Sequence, residues 1–173
     1  MIIGVVSDSH DNIHLLRKAL KSLVDHKVEM VIHLGDIISP FSVKLMKEVL
    51  GGVPVVAVKG NNDGDVYQIA QLFSKYNWQF YSEPTIVNLG NRRILLLHGY
   101  GSAENTRSLA WALLQALDID AVLYGHTHQI EVEKRNEKLI LNPGEVCGYL
   151  TGKGSYALIE TKSMKTEVHV LDA

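Results

Sequence analysis

From Ile2 to Tyr76, short apolar runs alternate with stretches whose apolar residues recur at helical spacing. Ile2 to Ser7, Met30 to Leu34 and Val53 to Val58 read as strands, and Ile13 to Val24, Ser42 to Leu50 and Val66 to Tyr76 as helices. Such alternation predicts crossover units and a largely parallel sheet. In the first helix Ile13, Leu16, Leu20, Leu23 and Val24 form the expected buried stripe, with Arg17, Lys18 and Lys21 on another face.

The pattern changes beyond Tyr76. Thr85 to Leu89 and Arg93 to Leu97 flank Gly90-Asn91, a pair that suits a tight hairpin because both residues tolerate positive φ. A helix follows from about Asn105 to Leu117, with Leu109, Leu113, Leu114 and Leu117 as its expected stripe. Ala121 to Tyr124, Ile130 to Lys134, Lys138 to Leu141, Ser155 to Glu160 and Glu167 to Leu171 read as further short strands, enough for two sheets. No internal repeat or low-complexity linker interrupts the chain, so residues 1–173 are expected to form a single domain, a length at which about 70% of the unfolded surface can be buried.

Composition narrows the function. With 46% hydrophobic and 21% charged residues the chain is of ordinary globular type, and its net charge of −2 argues against a protein that coats nucleic acid. The lone Cys147 cannot close an internal disulfide, there is no charged, apolar leader, and no apolar run approaches the ~20 residues of a bilayer span. A cytoplasmic protein without a membrane anchor is expected, with a homo-oligomer left open.

The chemistry sits where the strands end. Ser7-Asp8-Ser9-His10, Gly35-Asp36, Gly60-Asn61-Asn62-Asp63, His98-Gly99 and Gly125-His126-Thr127-His128 each follow an apolar run, and ligands of open α/β sheets collect beyond the carboxyl ends of strands. Asp8 and His10, two apart, suit one ion, although a capping Asp and a surface His fit the same dipeptide. Gly35-Asp36 also reads as a turn. His126 and His128 repeat the two-apart spacing, and imidazoles with carboxylates suit Mn, Fe, Co, Ni or Zn rather than Ca.

In combination these segments resemble the calcineurin-like metallophosphoesterase superfamily, whose signature is Asp-x-His, Gly-Asp, Gly-Asn-x-Asp/Glu, His and Gly-His-x-His. All five elements stand in order over residues 8 to 128, and the Asn142-Pro143-Gly144 turn is similar to the compact microbial phosphodiesterase branch. The resemblance implies a four-layer α/β/β/α sandwich of two mixed sheets flanked by helices, holding two divalent transition-metal ions, Mn foremost and Ni, Co, Fe or Zn as alternatives. It implies that Asp8, His10, Asp36 and His128 hold one ion, that Asp36, Asn61, His98 and His126 hold the other, and that Asp36 bridges. The implied reaction is hydrolysis of small phosphodiesters by a metal-bridging hydroxide. Metal coordination lowers the pKa of bound water to about 7, and ions about 3.5 to 4 Å apart clamp the attacking and leaving oxygens. Two ions outweigh two carboxylates and a hydroxide, so the site stays positive toward an anionic ester.

One position departs from the family pattern. Many members carry His after the metal-binding Asn, and here Asn62 donates hydrogen bonds but cannot act as a general acid. A phosphomonoesterase or nucleotide pyrophosphatase of the same fold is the alternative enzyme, and a scaffold like the retromer subunit that shares this fold is the alternative outside catalysis. Asp63 is expected beside the ligands rather than among them. Asn12 suits a phosphate oxygen or a helix N-cap equally. His33 reads as a core histidine, His14, His26 and His169 as surface residues, and Trp78, Trp111 and Cys147 as packing. Lys59 is expected to face away from the site, and Arg107 is a candidate phosphate contact.

Overall fold

The computed structural model describes residues 1–171, so the last two positions of the expected 1–173 domain lie outside the described residues. Four strands and three helices build the first part of the fold. β1 (Ile2–Val6), β2 (Met30–His33), β3 (Val55–Val58) and β4 (Gln79–Tyr81) run parallel, connected by α1 (Ile13–Asp25), α2 (Pro40–Leu50) and α3 (Val66–Lys75). The second sheet contains β5 (Thr85–Leu89), β6 (Arg92–Leu97), β7 (Ala121–Tyr124), β8 (Ile130–Arg135) and β9 (Lys138–Pro143), with α4 (Ala103–Ala116) between β6 and β7. β10 (Gly154–Glu160) and β11 (Lys165–Leu171) then return to the first sheet, where β10 pairs antiparallel with β1. The strand orders are β11-β10-β1-β2-β3-β4 and β5-β6-β7-β9-β8.

Strand alternation explains the layers, since successive side chains leave opposite faces. Val6, Val31, Val55 and Ala57 pack under Leu16, Leu20, Leu23, Met46 and Phe73 of the helices. Their strand neighbours Val5, Ile32, Val56 and Val58 turn inward onto Ile94, Leu96, Leu123 and Leu141 of the second sheet. On the outer face of that sheet, Leu95, Leu97, Val122 and Tyr124 receive Ala110 and Leu114 of α4. Helix, sheet, sheet and helix thus form the four layers expected.

Several local readings need correction. β4 was not expected, because three residues, none fully buried, carry too little period to stand out; pairing with β3 makes them a strand. Ile13 and Val24 are exposed and Ala19 takes a place in the α1 stripe. The buried face of α4 is Thr106, Ala110 and Leu114, with Leu109 turned outward, because Leu113 and Leu117 only flank that face. α2 begins at Pro40, two residues early, since Ser39 caps it by accepting from the Phe41 N–H and proline is favoured in the first turn. β3 begins after Pro54, which lacks the N–H a central strand needs.

Candidate metal centre

β1, β2, β3, β6 and β7 end at one edge of the sandwich, and the five polar segments begin there. Backbone bonds hold them together: Asp8 N–H donates to Gly35 O (3.1 Å), His10 N–H to Asp36 O (3.0 Å) and Gly125 N–H to His98 O (2.9 Å). Two glycines permit this approach. A Cβ at Gly60 would fall on the backbone N and Oδ1 of Asp36, and one at Gly125 would fall on Ser7 Oγ. Asp8, His10, Asp36, His126 and His128 all adopt φ between 42° and 68°, a region sparsely occupied by residues with a side chain. Strain of this kind is concentrated at functional sites, where surrounding bonds impose it.

The seven residues expected as ligands converge in two groups. Asp8 is fully buried; its Oδ2 accepts from Ser7 Oγ and from the His126 N–H (3.0 Å). That leaves Oδ1 facing His128 Nε2 at 3.4 Å and His10 Nε2 at 3.9 Å. Asp36 Oδ2 lies 3.2 Å from His10 Nε2 and 3.5 Å from His98 Nε2, so one oxygen is within reach of both groups. The second group meets at Asn61 Oδ1, which is 2.9 Å from His98 Nε2 and 2.8 Å from His126 Nδ1.

The donor chemistry fits a divalent cation in each group. His98 Nδ1 is 2.7 Å from Leu34 O and His126 Nε2 is 2.7 Å from Gly101 O. A carbonyl only accepts, so those nitrogens carry the protons of the neutral rings, whose His98 Nε2 and His126 Nδ1 then present lone pairs to the Asn61 oxygen. Two ring lone pairs held within hydrogen-bond distance of one amide oxygen repel it unless a positive charge stands among them. In the first group, Asp8 Oδ1 and His10 Nε2 are buried without a hydrogen-bond partner. Such groups are costly to bury, and a metal ion satisfies both.

The ionisation equilibria reflect the same crowding. Burial alone would raise the Asp36 carboxyl, but the neighbouring His10 and His98 rings and the bonds from Asn62 hold it well below the ordinary carboxylate range. The Asp36 carboxylate, 3.2 Å from His10 Nε2, raises the His10 imidazole against the effect of burial. Burial depresses His98, yet Asp36 and Asp8 together raise it above its usual value. Asp8 is raised, chiefly by burial.

The other candidates have structural partners. Asn62 donates through its backbone N–H to Asp36 Oδ1 and through Nδ2 to Oδ2, both at 2.8 Å. Asp63 accepts from the Ile38 N–H (2.8 Å) and the Gly60 N–H (2.7 Å), tying the second and third loops together beside the ligands. Asn12 caps α1 by accepting from the Leu15 N–H (3.2 Å), and its Nδ2 donates to Cys147 O (2.8 Å), so both ends of the amide are used within the protein. His33 is a core histidine: it is fully buried, accepts from the Gly35 N–H, lies 3.0 Å from Ser9 Oγ, and burial lowers its imidazole to about 3. His14 and His26 are exposed, whereas His169 is half-buried and stacks on Tyr156.

Two placements differ from expectation. Lys59 does not face away; it lines an open pocket of about 220 Å³ with Asn61 and His98, and its Nζ donates to Gly60 O. The Arg107 charge is already engaged by Glu131 (2.9 Å) and Glu133 (3.4 Å), at the rim of a pocket of about 460 Å³ that also contains Thr127. Cys147 is buried as expected, but its sulfur lies within 4.8 Å of donor atoms on His10 and His128, and its thiol donates to Glu145 Oε2. Burial, reinforced by that carboxylate, pushes the thiol up to about 12. Glu145 itself was missed: it is fully buried and meets His128 Nδ1 at 2.6 Å. Its position 17 residues beyond His128, after the turn, gives no spacing signal.

A sandwich with histidines, carboxylates and an amide gathered at its strand ends belongs to the class of metal-dependent hydrolases. The calcineurin-like phosphoesterase superfamily domain matches residues 1–164, and the chain belongs to that family. It is 33% identical over 173 residues to phosphodiesterase MJ0936 of Methanocaldococcus jannaschii, covering 99% of this chain and 100% of that one. A solved archaeal phosphodiesterase superposes with a TM-score of 0.89 at 32% identity, covering 99% of this chain and 100% of the other. Vps29 of Entamoeba histolytica, solved with Zn²⁺, shares the fold at a TM-score of 0.70 and 22% identity over 99% of both chains. No helix among the described residues is long and apolar enough to cross a membrane.

Proposed function

We propose that this protein is a phosphodiesterase with a dinuclear metal centre, built on one domain. Asp8, His10, Asp36 and His128 hold one divalent ion, and Asp36, Asn61, His98 and His126 the other. The observation that carries the reading is the convergence of the neutral rings' lone pairs on Asn61 Oδ1 together with the unpartnered Asp8 Oδ1 and His10 Nε2, a pattern that a cation in each group satisfies. Full-length similarity to phosphodiesterases supports the substrate class. Manganese is the proposed ion, in keeping with a mixed imidazole, carboxylate and amide donor set, and the cytoplasm is the proposed compartment.

When bound, the ions supply Lewis acidity and an activated water. The chain supplies the rest. Hydrogen bonds to Leu34 O and Gly101 O fix the rings of His98 and His126, so no reorganisation is needed at the moment of reaction. Asn62 holds both oxygens of Asp36, which keeps the shared carboxylate aimed at both groups. The ester substituents extend into the flanking pockets beside Lys59 and Thr127.

Chelator-treated protein should hydrolyse neither bis(4-nitrophenyl) phosphate nor 4-nitrophenyl phosphate. Adding Mn²⁺ should restore turnover, with the diester preferred. Equal turnover before and after verified removal of metal would eliminate the proposal, and preference for the monoester would transfer it to the phosphomonoesterase alternative.

A further inference from the structure

We infer that Glu145 is a positioning residue that selects the ring tautomer of His128 and so leaves His128 Nε2 free as a metal ligand. Glu145 lies in the connection between β9 and β10, where the chain crosses from one sheet to the other. That connection is pinned to the end of β1, since Val146 N–H donates to Ser7 O (2.9 Å) and Cys147 N–H to Asp8 O (3.1 Å).

Both oxygens of this fully buried carboxylate are surrounded by donors. Oε1 accepts from the Thr151 N–H (2.6 Å), the Thr151 hydroxyl (2.7 Å) and the Leu150 N–H (3.0 Å). Oε2 accepts from the Cys147 thiol (2.9 Å), the Tyr149 N–H (3.2 Å) and the shared Leu150 N–H (3.3 Å), and faces His128 Nδ1 at 2.6 Å. An environment of donors alone fits a carboxylate, and a carboxylate only accepts. His128 Nδ1 therefore carries the ring proton. In the neutral ring Nε2 then keeps its lone pair, on the side of Asp8 Oδ1 3.4 Å away. The partner on one imidazole nitrogen decides which nitrogen is free for a metal, and loss of such a partner typically costs about 10–100-fold in metal affinity.

Glutamine at position 145 separates this role from mere packing. Two fixed backbone donors, Thr151 at 2.6 Å and Leu150 at 3.0 Å, face the Oε1 position, against only longer contacts at Oε2, from Tyr149 at 3.2 Å and the same Leu150 N–H at 3.3 Å. The amide oxygen therefore takes the Oε1 position and the NH₂ group opposes His128 Nδ1. A donor facing that nitrogen requires the Nε2–H tautomer, which cannot ligate.

This inference rests on His128 serving as a metal ligand, so the first readout is taken without metal. Nitrogen-15 NMR of the chelator-stripped native protein, at about pH 8.5 where a free imidazole is neutral, should show His128 as Nδ1–H, and E145Q should show Nε2–H. Calorimetric titration with Mn²⁺ should then give about 10–100-fold weaker binding for E145Q. Thr151→Val removes one loop contact at Oε1 without touching the Oε2 side; it should lower the melting temperature while leaving the tautomer and Mn²⁺ affinity unchanged. An Nε2–H tautomer in the native protein overturns the inference even if E145Q does not fold. So does a T151V variant that loses as much Mn²⁺ affinity as E145Q. Native protein that shows Nδ1–H but takes up no Mn²⁺ would instead overturn the metal-centre proposal on which this one depends.

Discussion

The two ligand groups share Asp36 and otherwise differ in charge and exposure. The first adds a second carboxylate, Asp8, which is fully buried, and two histidines whose side chains are only 20% and 11% exposed. The second adds no charge: Asn61 is exposed, His126 half-exposed, and only His98 is deeply placed. A cation entering the first group neutralises buried negative charge that water cannot reach, whereas one entering the second repays only the repulsion of neutral lone pairs. The first group should hold its ion more tightly, and the second should exchange its ion with solvent and meet the substrate. A hydrolase needs both properties, and the fold separates them by drawing Asp8 from the central strand β1 and Asn61 from the loop after β3.

The largest effect that tests this comparison is Asp36→Asn. Because Oδ2 faces both groups, its loss should weaken both ions, costing more than the ~10–100-fold expected from an outer partner. Metal content and kcat/KM of the variant measure it. If either Asp8→Asn or Asn61→Ala proves clearly more damaging, Asp36 does not join the two groups.

Next come the group-specific changes. Asp8→Asn should remove the tighter binding event in a metal titration, and Asn61→Ala the weaker one while sparing the tighter. Reversal of that order would break the comparison, since it would place the stronger site where no private carboxylate stands.

A smaller, graded effect is expected from pH. His10 and His98 have raised imidazole values, so in the metal-free protein they retain protons above the ordinary value of about 6.5. Metal entry expels those protons. Apparent affinity should therefore climb with pH and level off only once pH exceeds the raised values; on acidification it should begin to fall above about 6.5. Calorimetry in buffers of different ionisation enthalpy would count the protons released. A flat affinity from about pH 5 to 8 would exclude these histidines as ligands.

The smallest expected change is Asn62→His assayed on nitrophenyl diesters, whose leaving group needs no proton: a modest loss, because the Nδ2 bond to Asp36 goes while the backbone N–H bond remains. Poor alkyl leaving groups should gain most, within the ~10²–10⁴-fold that a general acid contributes, and the dependence of kcat/KM on leaving-group pKa should flatten. A shallow dependence in the unaltered protein, with chemistry rate-limiting, would show that a proton donor is already present.

Much of this architecture was legible in the chain. The ligand segments could be found because each follows a buried strand, and strand burial leaves a local signature in runs such as Ile2 to Val6. The hairpin was legible for a similar reason, with Gly90 taking the positive φ that its turn requires. What escaped depends on partners distant in sequence. β4 exists through pairing with β3, Leu109 is turned outward by the way α4 seats on its sheet, and Lys59 reaches a pocket completed by residues 82 to 84. Glu145 escaped most completely, because a single acid after a turn acquires its meaning only where the crossover returns it to His128. Contacts between loops, unlike burial of a strand, leave no period to read.

The central claim is that two ions in unlike sites act together. Its most direct test is a titration of Mn²⁺ into chelator-stripped protein, with heat and turnover of bis(4-nitrophenyl) phosphate followed on the same samples. Two equivalents should bind, the first more tightly, and turnover should rise only as the second is taken up. Full turnover reached at one equivalent, with no further heat or rate on adding more, would contradict it.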